Sequence, residues 1–304
     1  MNNIFKYLLW TVLISLISGQ LHAALRVETT TQDLAAIAKV IGGQHIEVHS
    51  LTSGTRDPHF AVAKPSMIRR VFRADLLLVI GADMEIGWLP PLLQSSRNSR
   101  VQPGNPGYLD LSEVVTLLGK VQGSISRAMG DVHAKGNPHY WLDPHNGIQM
   151  AKAITGRLTQ LDPGHAIDYT TNFNAFKSKI NSKLPDWKKA LQHLKGKPVI
   201  TYHNSFVYLA NAFDFNIIDE IEPIPGIAPS ASSLSSLITE IKTKQIDLLL
   251  IEPYYERRSA QYLKQQTGIQ VAVIPQSVGA QSNIQNYVDL FDSIIDVLQL
   301  EENN

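Results

Sequence analysis

The sequence predicts an α/β fold of two lobes, each a mainly parallel sheet with flanking helices, joined by one long backbone helix. Three observations support this fold class. Short β-rich runs alternate with helical patterns in both halves of the 304-residue chain. Two of these runs, residues 76–80 and 247–251, are almost entirely apolar, as expected of strands buried on both faces. Between the halves, apolar residues recur at helical spacing.

The two halves repeat one scheme of strands and helices. A helix is expected to begin at Pro144, because proline suits the first helical position and Asp143 can cap it. Residues 101–136 are glycine-spotted and weakly periodic, which indicates mixed strand, short helix and loop. The predicted strands are 25–29, 46–51, 76–80, 199–201, 216–221, 247–251 and 270–274, and the other predicted helices are 33–41, 67–74, 206–213, 230–244, 259–267 and 287–298.

The middle of the chain carries the apolar stripe. Phe173, Ile180, Trp187 and Leu194 recur every seven residues. A helix of some thirty residues would span about 45 Å, enough to run along two lobes. Pro185 lies inside the pattern and should kink or break the helix. Two ordinary helices joined at this proline are the alternative.

The first residues predict an export signal and an extracytoplasmic, periplasmic protein. Lys6 is followed by an apolar run and a small-residue exit ending at Ala23, the expected cleavage site. The run is shorter than the roughly 20 residues that a membrane span requires. The expected division is a signal peptide at 1–23, an N-terminal α/β lobe at 24–162, the connecting helix at 163–195 and a C-terminal α/β lobe at 196–304.

The composition excludes several classes of protein. The chain contains no cysteine, so it cannot form disulfides, offer thiolate metal ligands or carry a lipid on a cysteine. We therefore expect a soluble product held together by core burial. The net charge is zero with both signs interspersed, which argues against nucleic acid or an anionic membrane as partner.

Three histidines form a candidate metal site. His59 stands in DPH, His139 in NPHYWLDP and His203 in YHNSF, each after an expected strand end or turn, where ligand-binding residues gather in open α/β sheets. Neutral imidazole is a common metal ligand, and three imidazoles with an open fourth position suit zinc. The wide separation of these residues along the chain indicates a site assembled from both lobes.

Three neighbouring residues have two interpretations each. Asp57 and Asp143 could accept the second ring N–H of a metal-bound histidine, but a turn residue and a helix cap, respectively, are the favoured interpretations. His133 lies in a glycine-containing loop that could sample metal and pass it inward. A solvated loop histidine is the favoured interpretation there.

These histidine motifs resemble those of the periplasmic zinc/manganese solute-binding proteins of ABC transporters, over essentially the whole chain after the signal. The resemblance implies that His59 and His139 come from the first lobe and His203 from the second. Family members that favour manganese tend to have a carboxylate at the third position, so His203 favours Zn²⁺ over Mn²⁺. The resemblance also implies a monomeric binding subunit, not an enzyme, that captures the ion and delivers it to a membrane permease.

One departure from the family leaves the fourth ligand open. The family often supplies an aspartate after the last strand, where this chain has Gln276. The fourth position could be taken by the Gln276 carbonyl, a water molecule, Glu222 or Glu252. A neutral ligand would leave a net charge of about +2 and a weaker site. The family's long histidine-rich loop is also missing.

Two other functions compete with metal capture. Three histidines and a water are also a catalytic arrangement, so an exported zinc-dependent hydrolase is the alternative. It needs a general base, and Glu222 and Glu252 do not lie in an HExxH motif. A sugar or amino-acid binding protein would need a roomy polar cavity with aromatic groups.

The long helix predicts limited lobe motion.

Overall fold

The structure is a computed structural model that describes residues 24–120, 133–222, 224 and 226–300, so the expected signal peptide lies outside the described residues. Two four-stranded sheets share one topology, and every strand pair in them is parallel. The first sheet has the order β2-β1-β3-β4 and the second β6-β5-β7-β8. The strands are β1 (Leu25–Thr29), β2 (Ile46–Ser50), β3 (Leu76–Val79), β4 (Tyr108–Asp110), β5 (Pro198–Thr201), β6 (Asn216–Glu220), β7 (Leu248–Ile251) and β8 (Gln270–Val273).

Helices cover both sheets, and the prediction of two α/β lobes is confirmed. Both β3 and β7 are buried along their whole length, as their apolar runs predict. The α-helices are α1 (Gln32–Gly42), α2 (Pro65–Arg73), α3 (Leu89–Ser96), α4 (Pro144–Leu161), α5 (Ala166–Ala190), α6 (Val207–Phe213), α7 (Ala231–Lys244), α8 (Arg258–Thr267) and α9 (Tyr287–Leu300).

The sequence did not predict α3 and located β4 only as part of a mixed stretch. Helix α3 begins Leu-Pro-Pro, and these prolines obscure its short periodic pattern, although proline is acceptable in a first helical turn. Strand β4 has only three residues and gains its place by pairing with β3. The start of α4 is as predicted, because the Asp143 side chain accepts from the backbone N–H of His145.

Helix α5 joins the lobes, and the predicted break at Pro185 is wrong. The helix runs unbroken through this proline for 25 residues, about 37 Å at 1.5 Å per residue. Contacts on both sides of the proline hold it to α9. Lys183 Nζ lies 2.9 Å from Asp292 Oδ2, and Trp187 Nε1 donates to Asp292 Oδ1 at 2.8 Å. Trp187 also stacks on Phe291, with ring centroids 5.2 Å apart.

The two lobes share one continuous apolar core. It extends from β1 and α1 through α4, α5 and α9 to β5 and β8. Buried polar contacts also cross between the lobes: Asp33 in α1 accepts from Ser277 Oγ at 2.6 Å and from the Val278 N–H at 2.9 Å. Within the described ranges, no helix combines the length and apolarity needed to cross a membrane.

Candidate metal centre

The structure brings His59, His139 and His203 together between the lobes. His59 lies in a 3₁₀ turn, Pro58–Phe60, after β2, and His139 immediately precedes another, Tyr140–Leu142, ahead of α4. His203 lies just beyond β5, the strand at which the order of the second sheet reverses. One ring nitrogen from each histidine lies within 4.8 Å of the other two. All three residues are buried, with at most 7% of their surface exposed.

Each of these imidazoles is oriented through its Nδ1 atom. Three acceptors face the Nδ1 atoms: Asp57 Oδ1 at 2.7 Å from His59, Asn137 Oδ1 at 3.0 Å from His139, and Glu222 Oε2 at 3.1 Å from His203. In each pair the imidazole N–H donates to the oxygen, so each Nε2 atom carries the lone pair that could bind a metal ion. Asp57 therefore does more than form a turn, and the interpretation of it as a turn residue alone is wrong.

The sequence missed Asn137 as an orienting residue, although a repeated Asx-Pro-His motif marks it. In both DPH and NPH, the Asx oxygen accepts from the backbone N–H of the histidine at 2.9 Å and from its Nδ1. A third copy, Asp143-Pro144-His145, has the same contacts at 2.8 and 3.2 Å. It caps α4, as predicted, and its histidine is exposed. The motif thus orients an imidazole, and the fold decides which copies face the site.

The electrostatics of the site favour the neutral form of His139 and place carboxylates beside His59 and His203. Burial, followed by the proximity of His59 and His203, lowers the pKa of His139 well below its ordinary value. Burial alone would raise the pKa of Asp57, but its hydrogen bonds and charge interaction with His59 outweigh burial and lower it. Asp57 and Glu222 place two carboxylates beside His59 and His203, where they would offset part of the charge of a bound cation.

The three protein candidates for a fourth ligand all have other partners. Gln276 Oε1 accepts from the Tyr254 hydroxyl, and Glu222 accepts from His203. Glu252 accepts from Ser205, and burial raises its pKa to about 8, so the carboxyl is protonated at neutral pH. Among the described residues, neither glutamate joins the group of mutually close metal-ligand atoms.

His133 lies against the site, and the interpretation of it as a solvated loop histidine is wrong. Its Nε2 atom is 3.1 Å from His59 Nε2, and the two ring centroids are 5.1 Å apart. Burial, then the neighbouring His59 and His203, lower the pKa of His133 to about 3. The alternative role in metal sampling was only one of two interpretations, because a contact between residues 74 positions apart leaves no local pattern in the sequence.

The site is closed by contacts between the lobes. The Tyr255 hydroxyl, from the second lobe, donates to Asp57 Oδ2 at 3.1 Å. In the opposite direction, Asn137 Nδ2 of the first lobe donates to the carbonyl of Asn204 at 2.5 Å. The Tyr208 hydroxyl donates to the Asn137 carbonyl at 2.7 Å. The residues that orient the first-lobe histidines are therefore themselves held by the second lobe.

Comparison with known proteins identifies a family. The family model described as "ZnuA: Zinc-uptake complex component A periplasmic" matches residues 27–300. The metal ABC transporter substrate-binding lipoprotein SloC of Streptococcus mutans is 26% identical over 82% of this chain and 79% of that protein. The manganese ABC transporter substrate-binding lipoprotein PsaA of Streptococcus pneumoniae is 26% identical, with coverages of 81% and 78%.

Solved structures share the fold. A crystal structure of ZnuA matches with a TM-score of 0.74 and 23% identity, over 92% of this chain and 98% of that one. A manganese-bound periplasmic metal-binding protein from Candidatus Liberibacter asiaticus matches with a TM-score of 0.75 and 19% identity, over 92% and 99%.

The family also decides between the competing functions. Substrate-binding proteins of ABC transporters work with a membrane permease and an ATPase and do not themselves catalyse a reaction. The hydrolase alternative is therefore not supported. The family binds divalent metal ions, in agreement with the converging imidazoles. The chain belongs to the ZnuA family of periplasmic metal-binding components of ABC transporters.

Proposed function

We propose that this protein captures zinc in the periplasm and delivers it to the permease of a metal ABC transporter, with His59, His139 and His203 as the ligands. One observation carries the proposal: three buried imidazoles converge with each Nδ1 engaged by an oxygen. Neutral imidazole suits zinc, whereas manganese is harder and prefers oxygen ligands. The protein acts as a monomer after removal of residues 1–23.

The choice of zinc rests on the chemistry of this chain's own ligands. Several relatives carry manganese in their names, so family membership alone does not select the ion. The nearby carboxylates Asp57 and Glu222 face the Nδ1 atoms of His59 and His203. In that position they raise the basicity of the imidazoles instead of offering oxygen to the metal. The donors that converge are nitrogen atoms, which favours zinc over manganese.

A competition titration tests this proposal. Untagged protein, stripped of metal, is titrated with Zn²⁺ and with Mn²⁺ against a chelator of known affinity. We expect one equivalent of zinc, zinc bound more tightly than manganese, and loss of tight binding in His59→Ala, His139→Ala and His203→Ala. His145→Ala is the matched control, because this histidine has the same local motif but is exposed. Tighter binding of manganese, or unchanged zinc affinity in the ligand variants, would contradict the proposal.

A further inference from the structure

The contact between His133 and His59 involves the atom that the metal would use. His59 donates its Nδ1 proton to Asp57 at 2.7 Å, so its Nε2 atom is an acceptor. His133 Nε2 lies 3.1 Å from that acceptor and must carry the proton between them. The His133 N–H therefore faces the Nε2 lone pair of His59, the atom proposed to bind the metal.

The distance between these nitrogens matches the geometry of a zinc site. In a tetrahedral site with Zn–N bonds of about 2.0–2.1 Å, neighbouring ligand nitrogens are separated by about 3.3 Å. The 3.1 Å between His133 Nε2 and His59 Nε2 is close to that separation. His133 stands outside the group formed by the other three ligand atoms, so its ring must turn toward them to complete the site.

The other three side chains considered as the fourth ligand, Gln276, Glu222 and Glu252, each have a hydrogen-bond partner that holds them. The oxygen of Gln276 is engaged by Tyr254, and its buried amide nitrogen, which lacks a hydrogen-bond partner, is a donor and not a ligand. Glu222 orients His203, and Glu252 is held by Ser205. His133 is the imidazole that already contacts a member of the group.

We propose that His133 is the fourth zinc ligand, which exchanges its hydrogen bond to His59 for coordination when the ion enters. This inference rests on the proposed function. On binding, Nε2 of His133 loses its proton to solvent and Nδ1 takes one up, so the ring stays neutral and its Nε2 lone pair faces the ion. Four imidazoles and no carboxylate at the ion favour zinc over manganese more strongly than three imidazoles and a carboxylate would.

X-ray absorption at the zinc edge of the loaded wild-type protein tests the inference directly. We expect a first shell of four nitrogens with the scattering of four imidazoles. In His133→Ala we expect three imidazoles and one oxygen, and a loss of zinc affinity of at least about tenfold, the lower end of what losing even an outer partner of a ligand costs. His145→Ala should retain the wild-type spectrum and affinity.

The outcomes separate this inference from the proposed function. A wild-type protein with three imidazoles and an oxygen, or a folded His133→Ala protein with wild-type affinity, would overturn the role of His133 and leave zinc capture standing. A wild-type protein that binds no zinc would overturn both. Thermal unfolding of the metal-free variants shows whether His133→Ala is folded, and the wild-type spectrum decides the question if it is not.

Discussion

The Tyr255 hydroxyl donates to Oδ2 of Asp57 at 3.1 Å, while Oδ1 of the same carboxylate accepts from His59 at 2.7 Å. Tyr255 belongs to the second lobe and Asp57 to the first. Tyr255 is itself stacked on Tyr202, with ring centroids 4.4 Å apart. One carboxylate therefore both orients a proposed metal ligand and contacts the second lobe. Removal of the Asp57 carboxylate should therefore weaken both metal binding and the contact between the lobes.

Replacing Asp57 should weaken metal binding through the orientation of His59. In Asp57→Ala the Nδ1 proton of His59 loses its acceptor, and the lobes lose the contact with Tyr255. We expect zinc affinity to fall by about 10–100-fold, measured by chelator competition. Asp143→Ala is the matched control, since Asp143 makes the same local contacts to an exposed histidine. It should cost about 0.5–2 kcal/mol of stability as a lost helix cap and leave affinity unchanged. Equal affinities in the two variants would contradict this role.

The sequence predicts much of the fold and the three central histidines for local reasons. Strands such as β3 and β7 are apolar throughout, and His59 and His139 carry a turn motif that orients a ring. Contacts distant in sequence account for what was missed. Helix α5 continues through Pro185, and Asp292, more than a hundred residues away, contacts the side chains of Lys183 and Trp187 on either side of it.

The site residues that the sequence did not predict were missed for the same reason. His133 reaches His59 across 74 residues of sequence, and Tyr255 reaches Asp57 across 198. Neither contact has a local pattern. The role of Asn137, in contrast, was predictable, because NPH repeats the DPH motif in which the first residue accepts from the histidine ring.

A carboxylate at position 203 should change metal preference. His203→Asp replaces a nitrogen ligand by oxygen, which manganese prefers. We expect the ratio of zinc to manganese affinity to fall by at least about tenfold, in line with the effects of altering partners of metal ligands. Parallel titrations with both ions measure the ratio, and His145→Asp serves as the exposed control. An unchanged ratio would show that His203 does not determine the choice of ion.

Glu252 should make stability depend on pH in a defined direction. Burial raises its pKa from 4.5 to about 8 in the folded protein. Between these values the folded state holds a proton that the unfolded chain has lost, so this group's contribution is full below about pH 4.5 and is lost as pH rises through about 8. We measure the free energy of unfolding of the metal-free protein by urea unfolding. Between about pH 5 and pH 8.5 it should fall less in Glu252→Gln than in the wild type. Identical pH profiles for variant and wild type would refute the assignment.

Asp33 should stabilise the contact between the lobes. It accepts from Ser277 Oγ at 2.6 Å and from the Val278 N–H at 2.9 Å, and it is fully buried. Asp33→Ala leaves these donors without a partner, so we expect the free energy of unfolding to fall by about 1–3 kcal/mol. Denaturant unfolding of the metal-free protein measures the change. A variant as stable as wild type would mean that this contact does not hold the lobes.

Elemental analysis of untagged protein isolated from the periplasm tests zinc capture at His59, His139 and His203 most directly. Wild-type protein and His203→Ala are purified side by side without added metal or chelator. We expect one equivalent of zinc in the wild type, little manganese, and zinc largely lost from His203→Ala. Manganese as the predominant ion in the wild type, or undiminished zinc in His203→Ala, would contradict zinc capture by these histidines.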